Sequence, residues 1–488
     1  MKYFAFILFT TTLLLAGCDN RPTADYTEVK KSADIYPLYE GTYLPYNIAP
    51  LNYRLQESGD RFVVRFVSGT DSFEVAAKKE LDIPRKKWKK LLEANKGKEM
   101  RMKIFSQTEK KWTKYNDVVF HIAEEPVDPY IAYRLIEPGY AAWNKMGIYQ
   151  RCVENFEETP VMLNSLTDNN CMNCHSFYKN NPDRMLFHMR GANAGTIFAK
   201  DGVVKRVNTK APGMLSAGVY PRWHPDGRYV AFSTNFTTQS FRTQSPNKIE
   251  VYDKDSDIVI YDTETDSIFT ARILSSKSSF ETFPEWSADG RSLYFCTTPA
   301  VANMPEDFES LLYDLVSVPF DPEKARFSNK ADTLFAAHKI EKSVSIPRVS
   351  PDGKNIVFCL SGYGTFPIWH KDNDLYQLNM NTREAVDITE INSPESDSYH
   401  SWSSNGRWLL FSSRRLDGNY TRLFISYFDK DGKWHKPILL PQKKSDHYDF
   451  LVKSYNVPEF ITGKVSVSPN EFSDAARKEA IIPKTRSK

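Results

Sequence analysis

The chain has 488 residues, a formal net charge of +3 and 41% hydrophobic residues, 14% of all residues being aromatic. This length is enough for two to four domains with cores of their own. The small net charge gives no support for nucleic-acid binding, and no stretch after Cys18 is long and apolar enough to cross a membrane as a helix.

The first 18 residues have the pattern of an export signal. Lys2 is the only charge, an apolar run extends from Phe4 to Leu15, and small residues then precede Cys18. This ending resembles the lipobox of bacterial lipoproteins. The resemblance implies cleavage before Cys18, acylation of Cys18, and a location in the cell envelope facing the periplasm or the cell surface. An ordinary signal peptide or a short membrane anchor is the alternative. We assign 1–17 as signal peptide and 18–45 as a lipidated tether that holds the protein at the membrane.

Residues 46–125 predict a small α+β or β-sandwich-like domain. Strands are expected at Arg61–Val67, Glu99–Phe105 and Val118–Ile122, and a helix at Arg85–Ala94. The helix carries a basic cluster, Arg85 to Lys90. We interpret that cluster as a solvent-facing helix side rather than a lipid contact.

The segment 126–194 contains the most informative motif of the chain, Cys171-Met172-Asn173-Cys174-His175. Cys-x-x-Cys-His is the attachment site of a c-type haem, in which two thiols bond the porphyrin and the histidine binds the iron. A redox Cys-x-x-Cys or half of a zinc site would share the spacing. A zinc site would need a second ligand pair, which the sequence lacks, and a redox motif would follow a βαβ pattern. Aromatic residues between Pro129 and Tyr149 suggest a helical segment that packs on the haem.

The second axial position of the iron decides between electron transfer and ligand binding. His188 is the preferred sixth ligand. Met185, Met189 and Met214 are rival ligands, and packing against the next domain is the non-ligand alternative for His188. Arg184 and Arg190 are candidates for ion pairs with the haem propionates, unless they are surface residues.

An internal repeat occupies the second half of the chain. Four segments, 221–233, 284–296, 347–359 and 400–412, align without gaps around Gly227, Gly290, Gly353 and Gly406. Each predicts a strand, an Asp-Gly or Asn-Gly turn and a second strand, and two further strands follow. Within these repeats Cys296 and Cys359 occupy the position of Ser233 and Ser412, so free, buried thiols are expected there.

The repeat resembles those of TolB-like, WD40-related β-propellers. The resemblance implies a mainly β chain with a propeller over 195–470, in which five blades are favoured and six are possible. We expect Tyr455–Phe460 to complete a composite blade with the strands near Gly195–Phe198 and Val203–Val207. A polar tail, 471–488, is expected to fray.

Together these patterns favour a lipid-anchored, extracytoplasmic cytochrome with one covalently attached haem c. It would relay electrons and use the propeller as a docking platform for redox or envelope proteins. The alternatives are a haem enzyme, peroxidase-like or cytochrome-linked, and a protein-interaction scaffold with a structural haem. The fold alone does not separate them.

Overall fold

A computed structural model describes residues 25–137 and 145–486. The signal peptide and Cys18 lie outside this range, as do Tyr140 and Trp143 of the expected helical segment. Within the described ranges, no helix is long and apolar enough to cross a bilayer.

The N-terminal part forms a small α+β domain, as predicted, but it begins earlier than residue 46. The expected tether contributes strands: Tyr26–Glu28 pairs with Lys111–Lys114, and Tyr43–Leu44 pairs with Val118–Ile122. The seven-stranded sheet contains Tyr26–Glu28, Tyr43–Leu44, Arg61–Ser68, Asp71–Ala77, Glu99–Thr108, Lys111–Lys114 and Val118–Ile122. A three-stranded sheet contains Ile35–Tyr36, Tyr53–Leu55 and Glu80–Leu81.

The helix Arg85–Ala94 lies where the sequence predicts it, and its basic side is exposed. Trp88, Leu91 and Leu92, spaced for one helix face, are buried, while the flanking lysines face outward. The Trp88 indole donates a hydrogen bond to the carbonyl of Ile48, 3.0 Å away. The basic cluster therefore forms the solvent-exposed face of a helix whose other face is packed.

The rest of the chain forms a β-propeller with six four-stranded blades, five of them completed within one continuous segment. We number the blades in ring order from the one that closes the ring. From the innermost strand outward, they are blade 1 (Ser454–Ile461, Tyr130–Ile136, Gly147–Cys152, Glu158–Leu163), blade 2 (Met172–Phe177, Arg184–Met189, Gly195–Lys200, Val203–Val207), blade 3 (Val219–Trp223, Tyr229–Phe241, Ile249–Asp262, Ser267–Phe269), blade 4 (Ser279–Trp286, Ser292–Pro299, Asp314–Asp321, Arg326–Phe327 with Asp332–Phe335), blade 5 (Ser343–Val349, Asn355–Ser361, Asp374–Asn379, Ala385–Asp387) and blade 6 (Asp397–Trp402, Trp408–Ser413, Arg422–Tyr427, Ile438–Leu439). Each innermost strand contacts those of the two neighbouring blades, which closes the ring.

The favoured count of five blades is therefore wrong, and six, the other possible count, is correct. The segment 126–194, expected to be separate, contributes strands to blades 1 and 2. Gly195–Lys200 and Val203–Val207 do end a blade, but Met172–Phe177 and Arg184–Met189 supply its first two strands. Ser454–Ile461 pairs instead with Tyr130–Ile136. The helix expected at 129–149 is also wrong, because the two ends of this run belong to two strands with a Pro-Gly pair between them. The aromatic residues of the two strands happen to have helix-like spacing when the run is treated as one element.

The predicted glycine turns join the first two strands in blades 3 to 6. Gly290 has a φ of +72°, a conformation that a side chain disfavours. A Cβ atom there would come within 2.4 Å of the His224 ring, so both the backbone and the neighbour require glycine.

The C-terminal tail does not fray but packs against blades 1, 2 and 3. The helix Pro469–Arg477 begins with a capping box between Ser468 and Glu471 and buries Phe472. Farther on, Lys484–Thr485 pairs with Ser267–Phe269 of blade 3. The other helical segments of the described residues are short. They are the α-helix His447–Phe450 and the 3-10 turns Asn164–Leu166, Tyr178–Asn180, Arg272–Leu274, Phe308–Ser310, Ala337–Ile340 and Pro367–Trp369.

The expectation for Cys296 and Cys359 is confirmed, since both are free and buried. Cys152 is also free and buried.

Candidate functional site

The Cys-x-x-Cys-His motif runs onto the innermost strand of blade 2. Its neighbour strand is Arg184–Met189, and the pairing shifts register between Asn173 and Ser176. Cys174 takes a positive φ of 52° at this bulge. Because a bulge interrupts the alternation of side chains, Asn173, Cys174 and His175 all reach the same cavity wall.

The bulge recurs in every blade, so the motif occupies a defined place in the repeat. The positive-φ residues of the six innermost strands are Cys174, Tyr220, Phe283, Ile346, Tyr399 and Val457. His175 thus takes the position that a proline fills in four blades and that His400 fills in blade 6.

The two equivalent histidines have different surroundings. His400 Nε2 lies 2.8 Å from the carbonyl oxygen of Val357 in the preceding blade. In blade 1 the residue at the position of Val357 is Ala132, since Ala132 pairs with Glu459 as Val357 pairs with Arg348. Both ring nitrogens of His175 are buried, and neither makes a hydrogen bond with a described residue.

The His175 ring is held neutral. Burial, and after it Arg134, lower its pKa to about 3, against the opposing influence of the Val457 backbone, which approaches outside hydrogen-bonding geometry. The neutral imidazole has a lone pair available for a metal, whereas the protonated ring has none.

These residues line a cavity of about 700 Å³ on the axis of the ring. All six innermost strands contribute to its wall, and this volume is in the range of small-molecule and cofactor sites. The wall mixes aromatic groups with polar ones; its members include Arg134, Cys171, Asn173, Cys174, His175, His188, Arg190, Tyr220, Asn235, Phe236, Trp369 and Tyr399.

The two motif cysteines are free thiols on this wall. Burial raises the pKa of the Cys174 thiol, against the opposing influence of the Tyr220 backbone, Arg190 and Arg134. Both sulfurs are thus available on the same surface as the unpartnered imidazole.

His188 lies on the same cavity, in the second strand of blade 2. It pairs with Asn173 across the strands, and its Nδ1 lies 3.3 Å from the hydroxyl of Thr196. Burial, followed by Arg190, lowers the pKa of His188 to about 3. Thr196 therefore orients a neutral ring whose Nε2 has no hydrogen bond to any residue that the structure describes.

The rival methionine ligands do not reach the cavity wall. Met185 and Met189 are fully buried in an apolar cluster with Phe187 and Phe472, because they alternate with His188 along the strand. Met214 packs against another apolar cluster, between blades 2 and 3.

Of the two predicted arginines, one lies at the site. Arg184 pairs with Asp201 at 3.0 Å and lies over the Tyr178 ring, so it is a surface residue. Arg190 lines the cavity, as does Arg134, which the sequence analysis missed. Arg134 lies 37 positions before Cys171, and no motif surrounds it. Only the packing of blade 1 against blade 2 shows that it lies at the cavity.

The donor set fits a c-type haem. Two free thiols, the neutral imidazole of the motif, which makes no hydrogen bond with a described residue, and a second, oriented imidazole line one cavity. Arg134 and Arg190 line it as well. Among the described residues, no three His, Cys, Asp or Glu side chains are placed to share one bare metal ion.

No protein-family model matches the chain, and no curated protein does. Several solved structures are similar. The periplasmic gluconolactonase PpgL of Pseudomonas aeruginosa is 13% identical over 67% of this chain and 99% of its own, with a TM-score of 0.35. An oligogalacturonate lyase in complex with manganese is 10% identical over 62% and 91%, with a TM-score of 0.32. A DUF4784 family protein from Bacteroides caccae is 9% identical over 75% and 94%, with a TM-score of 0.30. These values are too low to indicate what this chain does.

Proposed function

We propose that this chain is a lipid-anchored, extracytoplasmic c-type cytochrome with one haem, and that it relays electrons in the bacterial cell envelope. The observation that carries the proposal is His175, whose buried ring nitrogens make no hydrogen bond with a described residue and which lies beside two free thiols. A buried polar group without a partner is costly, so this arrangement favours a ligand that the nitrogen can bind.

In this proposal each residue has one task. Cys171 and Cys174 would hold the porphyrin, and His175 would bind the iron. His188, which Thr196 orients, would be the second iron ligand. When bound, the haem supplies an iron that gains and loses single electrons. The chain itself supplies two neutral imidazoles, and burial keeps both from being protonated at neutral pH.

Electron relay is favoured over catalysis because His188 is available for the second axial position. Iron with both positions filled by protein ligands passes electrons, whereas an open position binds small molecules. A haem enzyme is the second candidate. It is favoured by the polar wall of the cavity, where Asn235, Tyr220 and Tyr399 provide more hydrogen-bonding groups than an electron carrier needs.

The first test is covalent haem itself. The full chain would be produced in a host that matures c-type cytochromes, and haem would be detected on a denaturing gel and by its reduced spectrum. We expect one haem per chain, and none after Cys171→Ser with Cys174→Ser. Cys296→Ser is the matched control, because serine already stands at the equivalent positions Ser233 and Ser412. Absence of covalent haem in the unaltered chain would reject the proposal and leave a propeller scaffold.

Carbon monoxide separates the relay from the enzyme. An unchanged low-spin spectrum under CO supports two protein ligands and electron transfer. A shifted spectrum in the unaltered chain would support the enzyme instead. His188→Ala should open the position and allow CO to bind in either case.

The lipid anchor is tested separately. Labelling with a fatty-acid analogue should mark the full chain and not the Cys18→Ser variant. An unlabelled parent chain would reject the anchor without affecting the haem.

A further inference from the structure

Five arginines line the axial cavity, and three of them are held by groups of the protein. Arg222 and Arg348 share the Glu285 carboxylate, at 2.6 and 3.5 Å. Arg414 donates to the carbonyl of Ile368 at 2.6 Å. These three side chains are accounted for within the propeller itself.

Arg134 and Arg190 differ, since neither forms an ion pair with a carboxylate in the described parts of the chain. Arg134 Nη1 donates to the carbonyl oxygen of Met172 at 3.0 Å, which ties it to the haem motif. Its Nε is buried and makes no hydrogen bond with a described residue. The backbone N–H of Arg190 donates to the carbonyl of Cys171 at 2.9 Å. The two cations thus approach the motif from neighbouring blades.

Both cations line the same cavity as the motif. Arg134 is partly buried and Arg190 is exposed, so neither charge is sealed inside the protein. The buried Nε of Arg134 still has a hydrogen bond to offer, and a buried donor left without a partner is unfavourable. Two cations that line one cavity without a carboxylate from the described residues can therefore receive the carboxylates of a ligand.

We propose that Arg134 and Arg190 bind the two carboxylates of one ligand in this cavity, each guanidinium receiving one carboxylate. A guanidinium forms two parallel hydrogen bonds with a carboxylate, which fixes orientation as well as charge. The inference rests on the proposed function where the ligand is haem, whose two propionates have this chemistry. A free dicarboxylate is the other source.

The test measures the carboxylates directly and needs no catalytic activity. The full chain with Cys171→Ser and Cys174→Ser, which cannot attach haem covalently, would be titrated with haemin and with haemin dimethyl ester. The ester lacks the two negative charges. We expect it to bind at least about tenfold more weakly, since one charge-assisted hydrogen bond already accounts for that ratio.

Adding Arg134→Gln and Arg190→Gln should remove the discrimination between acid and ester, while Arg184→Gln should preserve it. Arg184 is the matched control because its partner is Asp201 on the surface. Arg134→Lys keeps the charge but not the paired hydrogen bonds, so it should give an intermediate ratio. Circular dichroism of each variant checks that it is folded.

The outcomes are distinguishable. Equal binding of acid and ester by the parent protein overturns the arginine inference and leaves haem binding intact. If neither haemin binds, covalent haem in the unaltered chain remains the test of the proposed function, and its absence there rejects that function. Succinate titration then decides: saturable binding that disappears in the Arg134→Gln, Arg190→Gln protein supports a free dicarboxylate, and no binding overturns this inference as well.

Discussion

Blades 2 and 6 place a histidine at the same position of the same bulge, but only one of the two is satisfied. His400 is hydrogen-bonded to the neighbouring blade, whereas neither nitrogen of His175 makes a hydrogen bond with a described residue. The bulge itself is not the cause, because blades 1 and 5 show the same register shift. The same position of one repeated scaffold thus holds a packed histidine in blade 6 and a candidate ligand in blade 2.

The strongest way to break this comparison is to remove each histidine in turn. His175→Ala should abolish the low-spin haem spectrum and lose little stability, because no hydrogen bond of the described protein is removed. His400→Ala should keep the spectrum but lower the free energy of unfolding by about 2–4 kcal/mol, since it deletes a buried hydrogen bond and leaves a void.

Spectra and urea unfolding of the two variants provide the measurement. If both variants lost stability equally and both kept the spectrum, His175 would be another packed histidine, like His400.

The sequence predicts blades 3 to 6 because their turns require glycine at positions such as Gly290 and Gly406. Blades 1 and 2 could not be predicted in this way because they lack the glycine turn of the repeat. Blade 2 turns through Tyr178–Asn180 without an Asp-Gly pair, and blade 1 is assembled from strands more than 300 residues apart. The motif, His188 and Arg190 are local in sequence and can be found there. Arg134 depends on pairing between distant strands and cannot.

The C-terminal helix Pro469–Arg477 packs against blades 1 and 2, and its contribution to stability can be measured. Phe472 is fully buried against Phe187, behind the strand that carries His188. Phe472→Ala should lower the free energy of unfolding by about 3–5 kcal/mol, as large-to-small changes in cores do. Asp474→Ala, on the exposed side of the same helix, should change it by less than about 0.5 kcal/mol. If both variants changed the free energy of unfolding by the same small amount, the C-terminal tail would not be packed against the propeller and the expectation of a frayed end would be correct.

Acid should weaken the contribution of His400 in a defined window. Burial, Arg348 and Arg222 lower its pKa to about 3, while the backbone of Val357 raises it; in the unfolded chain it titrates near 6.5. Between these values the unfolded state binds the extra proton, so stability falls as pH falls. The advantage of the parent over His400→Ala should therefore shrink by about 2 kcal/mol from pH 7 to pH 5. A difference that stays constant across this range would contradict the neutral, buried ring.

The smallest effect on stability is expected for substitution of Arg184. Arg184 is the first residue of the strand Arg184–Met189, and Arg190 directly follows that strand. Its ion pair with Asp201 is partly exposed, and exposed pairs contribute at most about 1 kcal/mol. Arg184→Gln should therefore leave urea unfolding nearly unchanged and keep the full haem content, whereas Arg190→Gln should alter how the cavity discriminates carboxylates. If Arg184→Gln changed ligand binding as strongly as Arg190→Gln, the effect would be a general loss of positive charge. The two ends of one strand thus separate a charge that faces solvent from one that faces the candidate site.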